Sequence, residues 1–237
     1  MIMGSGGYVV AMEAAVVLLF AALAGAVLVG VRYGRFTAQR RLADLRGFVH
    51  ARGWAVGSGD EELTRRWPGP PFHPGGGVAR PVVTGTHRGR EFVAFEYLYE
   101  VTPSPTAKTA IPHRRSVVTI PLPAHVPDLA VTRKDAIAGA VARVLDRPGA
   151  DLPGEPGRRY HVACVDQLFA TTVLQAPVVA QLEAGPAWEW RFAGDTMIGY
   201  QAGRLTPDRL VSGLDALSDV LDRVPAEAWR HGGPAAA

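Results

Sequence analysis

Residues 14–31 read AAVVLLFAALAGAVLVGV, eighteen positions without a charge, and Arg32, Arg35, Arg40, Arg41, Arg46 and Arg52 follow at once. As a helix the run is about 27 Å long, close to the hydrocarbon thickness of a bilayer. Residues 1–13 hold no Lys or Arg, so the positive leading region of a cleaved signal peptide is missing and an uncleaved transmembrane anchor is expected. Six arginines after the span and none before it orient the anchor, with the N-terminus outside and the remainder in the cytoplasm. Glu13 falls at the outer end, within reach of the interface. Initiation at Met12 instead of Met1 would place that carboxylate at the extreme N-terminus. Ala21 and Gly25 have the small-residue spacing that homodimeric spans use, although Ala and Gly abound throughout the run.

After the anchor the pattern changes. Residues 32–52 read as a basic juxtamembrane helix with Phe36, Leu42, Leu45 and Val49 as its apolar positions, and a soluble domain over 53–230 opens with a short strand at 53–56. Residues 57–81 have no period and hold Pro68, Pro70, Pro71 and Pro74. Alternating segments at 81–86 and 90–101 flank His87-Arg88-Gly89, a hairpin signature. In the second segment Val93, Phe95, Tyr97, Tyr99 and Val101 share a face, the expected core side. Residues 102–112 read as a loop, and strands are expected at 114–122 and 128–132. Thr132 with Asp135 resembles a capping box, opening a helix striped by Ile137, Val141, Val144 and Leu145. Residues 148–156 break the chain, and a strand at 160–165 follows. Asp166 caps a helix through Leu174, and Pro177 opens another to Glu183.

Residues 188–192 and 196–200 read as a hairpin around Ala193-Gly194-Asp195. The last helix has Thr206 as N-cap, Pro207 in its first position and a Leu205/Leu210 staple. Its stripe, Leu210, Leu214, Leu217, Leu221 and Val224, is expected to pack on the domain's own sheet. Residues 231–237 are expected to be a disordered tail. Strands and helices mix without strict alternation, which predicts an α+β fold: an N-terminal transmembrane helix, then a domain with a largely antiparallel sheet and three to four helices.

Charge matters here through its position. Residues 1–52 hold six Arg against Glu13 and Asp44, whereas the rest holds 19 basic and 20 acidic residues. The basic excess therefore lies beside the membrane, where each basic residue gains about 1 kcal/mol from anionic headgroups. Arg32, Arg35, Arg40 and Arg41 are the expected headgroup-binding residues. The folded part carries no basic stripe, so nucleic acid is not an expected partner. Cys164 is the sole cysteine, which excludes an intramolecular disulfide.

Catalytic signatures are sparse. The string TGTHRG at 84–89 lacks the Gly-Lys-Ser/Thr ending of a phosphate loop, and its cations His87 and Arg88, with Arg90, read as a solvated turn or as an anion site. None of the seven histidines forms the i, i+4 pair of a zinc peptidase, so no metal and no cofactor is expected. Cys164 reads as a small buried hydrophobe. Glu96 and Glu100 lie about 13 Å apart along one strand and are expected to be exposed or partner-facing. The string WPGPPF at 67–72 has two readings: a loop pinned to the core by its aromatics, or a partner surface made by Trp67, Pro70 and Phe72.

Several strings recur together in one known group. Gly53-Trp54, Arg66-Trp67 with Pro71-Phe72, Val83-Thr84-Gly85, Gly89-Arg90 and the FVAFEY run at 92–97 occur in order, followed by the LDRVP run at 221–225 and Trp229. Over residues 50–230 the chain resembles uncharacterised single-pass membrane proteins of high-GC Gram-positive bacteria. The resemblance implies one N-terminal span and a soluble domain of unknown function, and it implies no activity.

These readings lead to a membrane-tethered cytoplasmic binding or scaffold module. Its expected partners are the bilayer and a membrane or envelope protein. One alternative is an enzyme at the inner leaflet, with a site drawn from His87, Arg90, Glu96 and His113 if these converge. The other is a sensor of anionic lipid through the juxtamembrane arginines.

Overall fold

The computed structural model describes residues 23, 29, 32, 36, 37, 39–102, 104, 109–134, 149, 150, 154–186 and 188–231. The chain divides into two units, Met1–Gly47 and Phe48–Ala237. In the first, residues 39–47 are helical, and the Arg40 guanidinium lies 4.2 Å from the centre of the Phe36 ring. Most of the apolar run at 14–31, the expected helix after Asp135 and the tail beyond His231 lie outside the described residues. Among the described residues no helix is long and apolar enough to cross a membrane.

The second unit is an α+β domain in which every described strand pairing is antiparallel. Strand β1 (Ala55–Gly57) pairs with β2 (Val78–His87), and β2 pairs with β3 (Arg90–Val101). The β2–β3 turn is Arg88-Gly89, both left-handed at φ 50° and 78°. That is the two-residue hairpin whose twist matches its strands, and Gly89 enters it without a Cβ penalty.

The spine is β4 (Ile111–Arg133), twenty-three residues long. It pairs with β3 over 111–119, with β7 (Glu189–Ala202) over 115–131 and with β6 (Tyr160–Cys164) over 129–133. On one side β4 thus leaves β3 and later takes up β6, to which the two-residue β5 (Gly149–Ala150) adds. The expected strands at 114–122 and 128–132 are therefore one. The prolines at 121, 123 and 127 do not end it, because they fall where register shifts against β7 loosen the ladder. Burial still alternates through this stretch, with Leu122, Ala124 and Val126 inside and Pro121, Pro123 and His125 outside.

The expected hairpin at 188–200 is likewise a single strand, β7. Gly194, at φ 63°, bends it opposite Val126 instead of reversing it, and a Cβ there would come 2.8 Å from the His125 ring. The expected break at 148–156 holds β5 and the first residues of the short helix α1 (Gly154–Arg159). Helix α2 (Gln167–Val173) starts as read, with Asp166 accepting from the Phe169 amide at 2.9 Å, and α3 (Ala176–Ala184) has Pro177 in its first turn.

Helix α4 (Pro207–Leu221) covers one sheet face. Thr206 accepts from the Arg209 amide, and Leu210, Leu214, Leu217 and Leu221 are buried. The helix sits close because the sheet offers Gly199 under Leu217: a Cβ there would stand 2.6 Å from a Leu217 methyl. The opposite face is covered by the 57–77 loop. Trp67 and Phe72 stack at 6.0 Å, and Phe72 meets Phe95 and Tyr97 at 6.3 and 5.3 Å. The Tyr97 hydroxyl donates to the Gly76 carbonyl and accepts from the His73 amide, which ties the loop down.

Candidate functional site

On the loop-covered face, successive cross-strand rows change character. Val82, Phe95, Val117 and Tyr200 stand in register across four strands and form the core beneath Trp67 and Phe72. The next row is Thr84, Val93, Thr119 and Ile198. In the third, Thr86 faces Glu91 and Pro121 faces Thr196, while β3 and β4 have already parted after the Val93–Thr119 pair. Loop 57–77 roofs the first row and stops. Past its edge, where Leu63, Arg66 and Trp67 form a wall, lies a cleft of about 470 Å³ floored by the two threonine-bearing rows. The size is in the range of small-molecule sites. Thr119 donates to the Val93 carbonyl at 3.1 Å and Thr196 to Asp195 at 2.8 Å. The Arg66 guanidinium lies 5.3 Å from the centre of the Trp67 ring.

The cations at the hairpin tip form a different site. The turn is solvent-exposed at Arg88 and Gly89, as read, but its cations are no open anion site, because carboxylates of helix α4 pair with them. His87 Nε2 lies 2.8 Å from Asp215, Arg88 donates to Asp219 at 2.8 Å and to Asp222 at 2.6 Å, and Arg90 donates to Asp222 at 2.6 Å. Hydrogen bonding to Asp219 raises the Arg88 pKa further above its ordinary value. Asp219 and Asp222 sit at the C-terminal end of α4, where the macrodipole disfavours carboxylates. The two arginines offset that cost. The acid spacing 215, 219, 222 on one helix face was the signal in the sequence for this clasp.

The four residues of the enzymatic alternative do not converge. His113 stands opposite Tyr99, whereas Arg90 stands opposite His87 at the other end of β3, about 30 Å away for nine residues of strand. The His113 ring stacks on Tyr99, which stacks in turn on His73. Glu96 is buried, contrary to the expectation of an exposed or partner-facing carboxylate. It points to the α4 side, where it bonds Arg114 at 2.9 Å and accepts from the Leu205 amide at 3.2 Å. Glu100 is exposed.

Of the two readings of the 67–72 string, packing gives the pinned loop. Trp67 and Phe72 are buried and only Pro70 is half-exposed, so the three do not present one surface to a partner. Cys164 is fully buried, donates to the Asp166 carbonyl, and has its thiol pKa raised by burial, as suits an inert side chain. Arg32, Arg40 and Arg41 are exposed, and Arg35 lies outside the described residues. Among the described residues no group of three or more His, Cys, Asp or Glu side chains is placed to hold a metal.

No protein-family model matches the chain, and no curated protein matches it. Among solved structures the domain is similar to the crystal structure of the mycobacterial trehalose monomycolate transport factor A, TtfA, with a TM-score of 0.56 and 14% identity over 82% of this chain and 97% of that one. At that identity the likeness establishes a shared α+β fold and leaves function to be argued from the residues.

Proposed function

We propose that this protein is a membrane-tethered binding or scaffold module, anchored by residues 14–31, whose folded domain works in the cytoplasm against a membrane or envelope protein. The observation that carries the reading is the dispersal of the chemistry-bearing side chains. His87, Arg88, Arg90 and Glu96 are each committed to a structural partner, and His113 is stacked on Tyr99 at the opposite end of β3 from Arg90. What the domain offers to other molecules is surface and cleft. The apolar run and its arginine collar supply the tether, and the exposed Leu23, Val29 and Phe36 are apolar side chains that a lipid environment would cover. The domain shares its fold with a protein described as a mycobacterial trehalose monomycolate transport factor, and a transport role of that kind is compatible with a tethered binding module.

The test is a crosslinking pull-down from membranes with a C-terminal tag. One membrane protein is expected to co-purify reproducibly with the full chain and to be lost when residues 1–31 are deleted. No partner, together with turnover of a lipid or nucleotide by the purified chain, would overturn the reading.

A further inference from the structure

The geometry points to the cleft beside Trp67 as a binding site for a neutral, polyhydroxylated ligand, that is, a sugar or a sugar headgroup. The hydrogen-bonding balance of its lining argues for this. The Thr119 and Thr196 hydroxyls have spent their protons on Val93 and Asp195, so they present lone pairs only. The carboxylates of Glu91 and Asp195 accept and cannot donate. The Thr84 and Thr86 hydroxyls can donate or accept, so the floor offers more acceptors than donors and suits a ligand that brings many O–H groups.

Charge narrows the class. Among the described residues, one cation, Arg66, lines the cleft with two carboxylates, Glu91 and Asp195, so this lining is net negative and disfavours a phosphate or carboxylate ligand. A polyamine would satisfy the acceptors and the net charge, but it would leave the apolar lining residues Leu63, Val93 and Pro121 without a matching surface. Leu63, Val93, Pro121 and Trp67 add apolar surface of the kind that the C–H faces of a pyranose cover. A peptide strand fits less well, because the stretch of β4 beyond its last β3 partner contains Pro121, Pro123 and Pro127, none with an N–H to donate to an added strand. The site does not depend on the tether. It stands or falls separately from the scaffold reading.

The test uses the full chain in a detergent without a sugar head. Saturation-transfer NMR and titration are run with free maltose and trehalose, with a neutral glycosyl diacylglycerol in mixed micelles, and with glucose 6-phosphate and spermidine as charged comparators. Binding of at least one neutral sugar probe in the millimolar range or tighter is expected, with the two comparators weaker. The arm that binds, free or lipid-borne, identifies the source of the sugar. Thr86→Ala with Glu91→Ala, both exposed positions whose change leaves the core intact, is expected to weaken binding at least about tenfold at unchanged circular dichroism. Arg204→Ala, an exposed position outside the cleft lining, serves as the control and is expected to bind as the parent does. Absence of binding by every sugar probe, tighter binding of either comparator, or sugar binding untouched by the double substitution would overturn the proposal.

Discussion

Glu96 shows how much one buried carboxylate can organise. Its two oxygens join β3 to Arg114 on β4 and to the Leu205 amide at the entrance to α4. Glu96→Ala would leave the Leu205 amide without its acceptor and is expected to cost about 1–3 kcal/mol in urea unfolding, with Glu96→Gln costing less. An unchanged midpoint for the alanine variant would contradict the assignment. Tyr200 gives a pH test. Burial, reinforced by the charge of Glu189, raises its pKa above the ordinary 10.0. Above that pH the unfolded chain ionises the phenol and the folded chain does not, so the unfolded state binds fewer protons and stability falls as pH rises. The loss is at most about 1.4 kcal/mol per pH unit for this one group. Tyr200→Phe should flatten the slope between pH 10 and 11, and equal slopes would count against a buried neutral phenol. The burial of Glu96 was not legible in the alternation of β3, because both faces of that strand are covered: Phe92 and Ala94 are buried on one, Phe95 and Tyr97 on the other.

At the scale of elements, the clasp between the β2–β3 turn and α4 fixes where the helix lies along the sheet. Its members are partly exposed, so its thermodynamic worth is modest. Asp222→Ala is expected to lower stability by about 0.5–1 kcal/mol in dilute buffer and by less at 1 M salt. A loss independent of salt would mean that packing, not charge, holds the turn. The helix itself was readable from local chemistry: Thr206, Pro207 and the leucine stripe gave its start and its buried face. The β2–β3 turn was equally plain. What the sequence concealed was continuity. Prolines within β4 and Gly194 within β7 look like terminators, yet the two long strands bend around each other through their register shifts and stay paired. The cleft was half visible, since Val82, Thr84 and Thr86 trade an apolar for a hydroxyl side chain at period two. Their alignment with Thr119 and Thr196 is a matter of register, which a single sequence does not state.

For the whole molecule, the proposed division of labour is simple: an apolar run with an arginine collar holds the chain to the membrane, and an α+β domain with a roofed core and an open cleft acts from there. The exposed Arg32, Arg40 and Arg41 are expected to add affinity for anionic vesicles that weakens as salt rises. The most direct measurement is protease protection of a C-terminally tagged chain in intact spheroplasts. The tag and the domain are expected to survive until the membrane is opened, and the protein to sediment with membranes still carrying residues 14–31. Digestion of the domain in intact spheroplasts, or a mature chain that begins after the run, would contradict this placement.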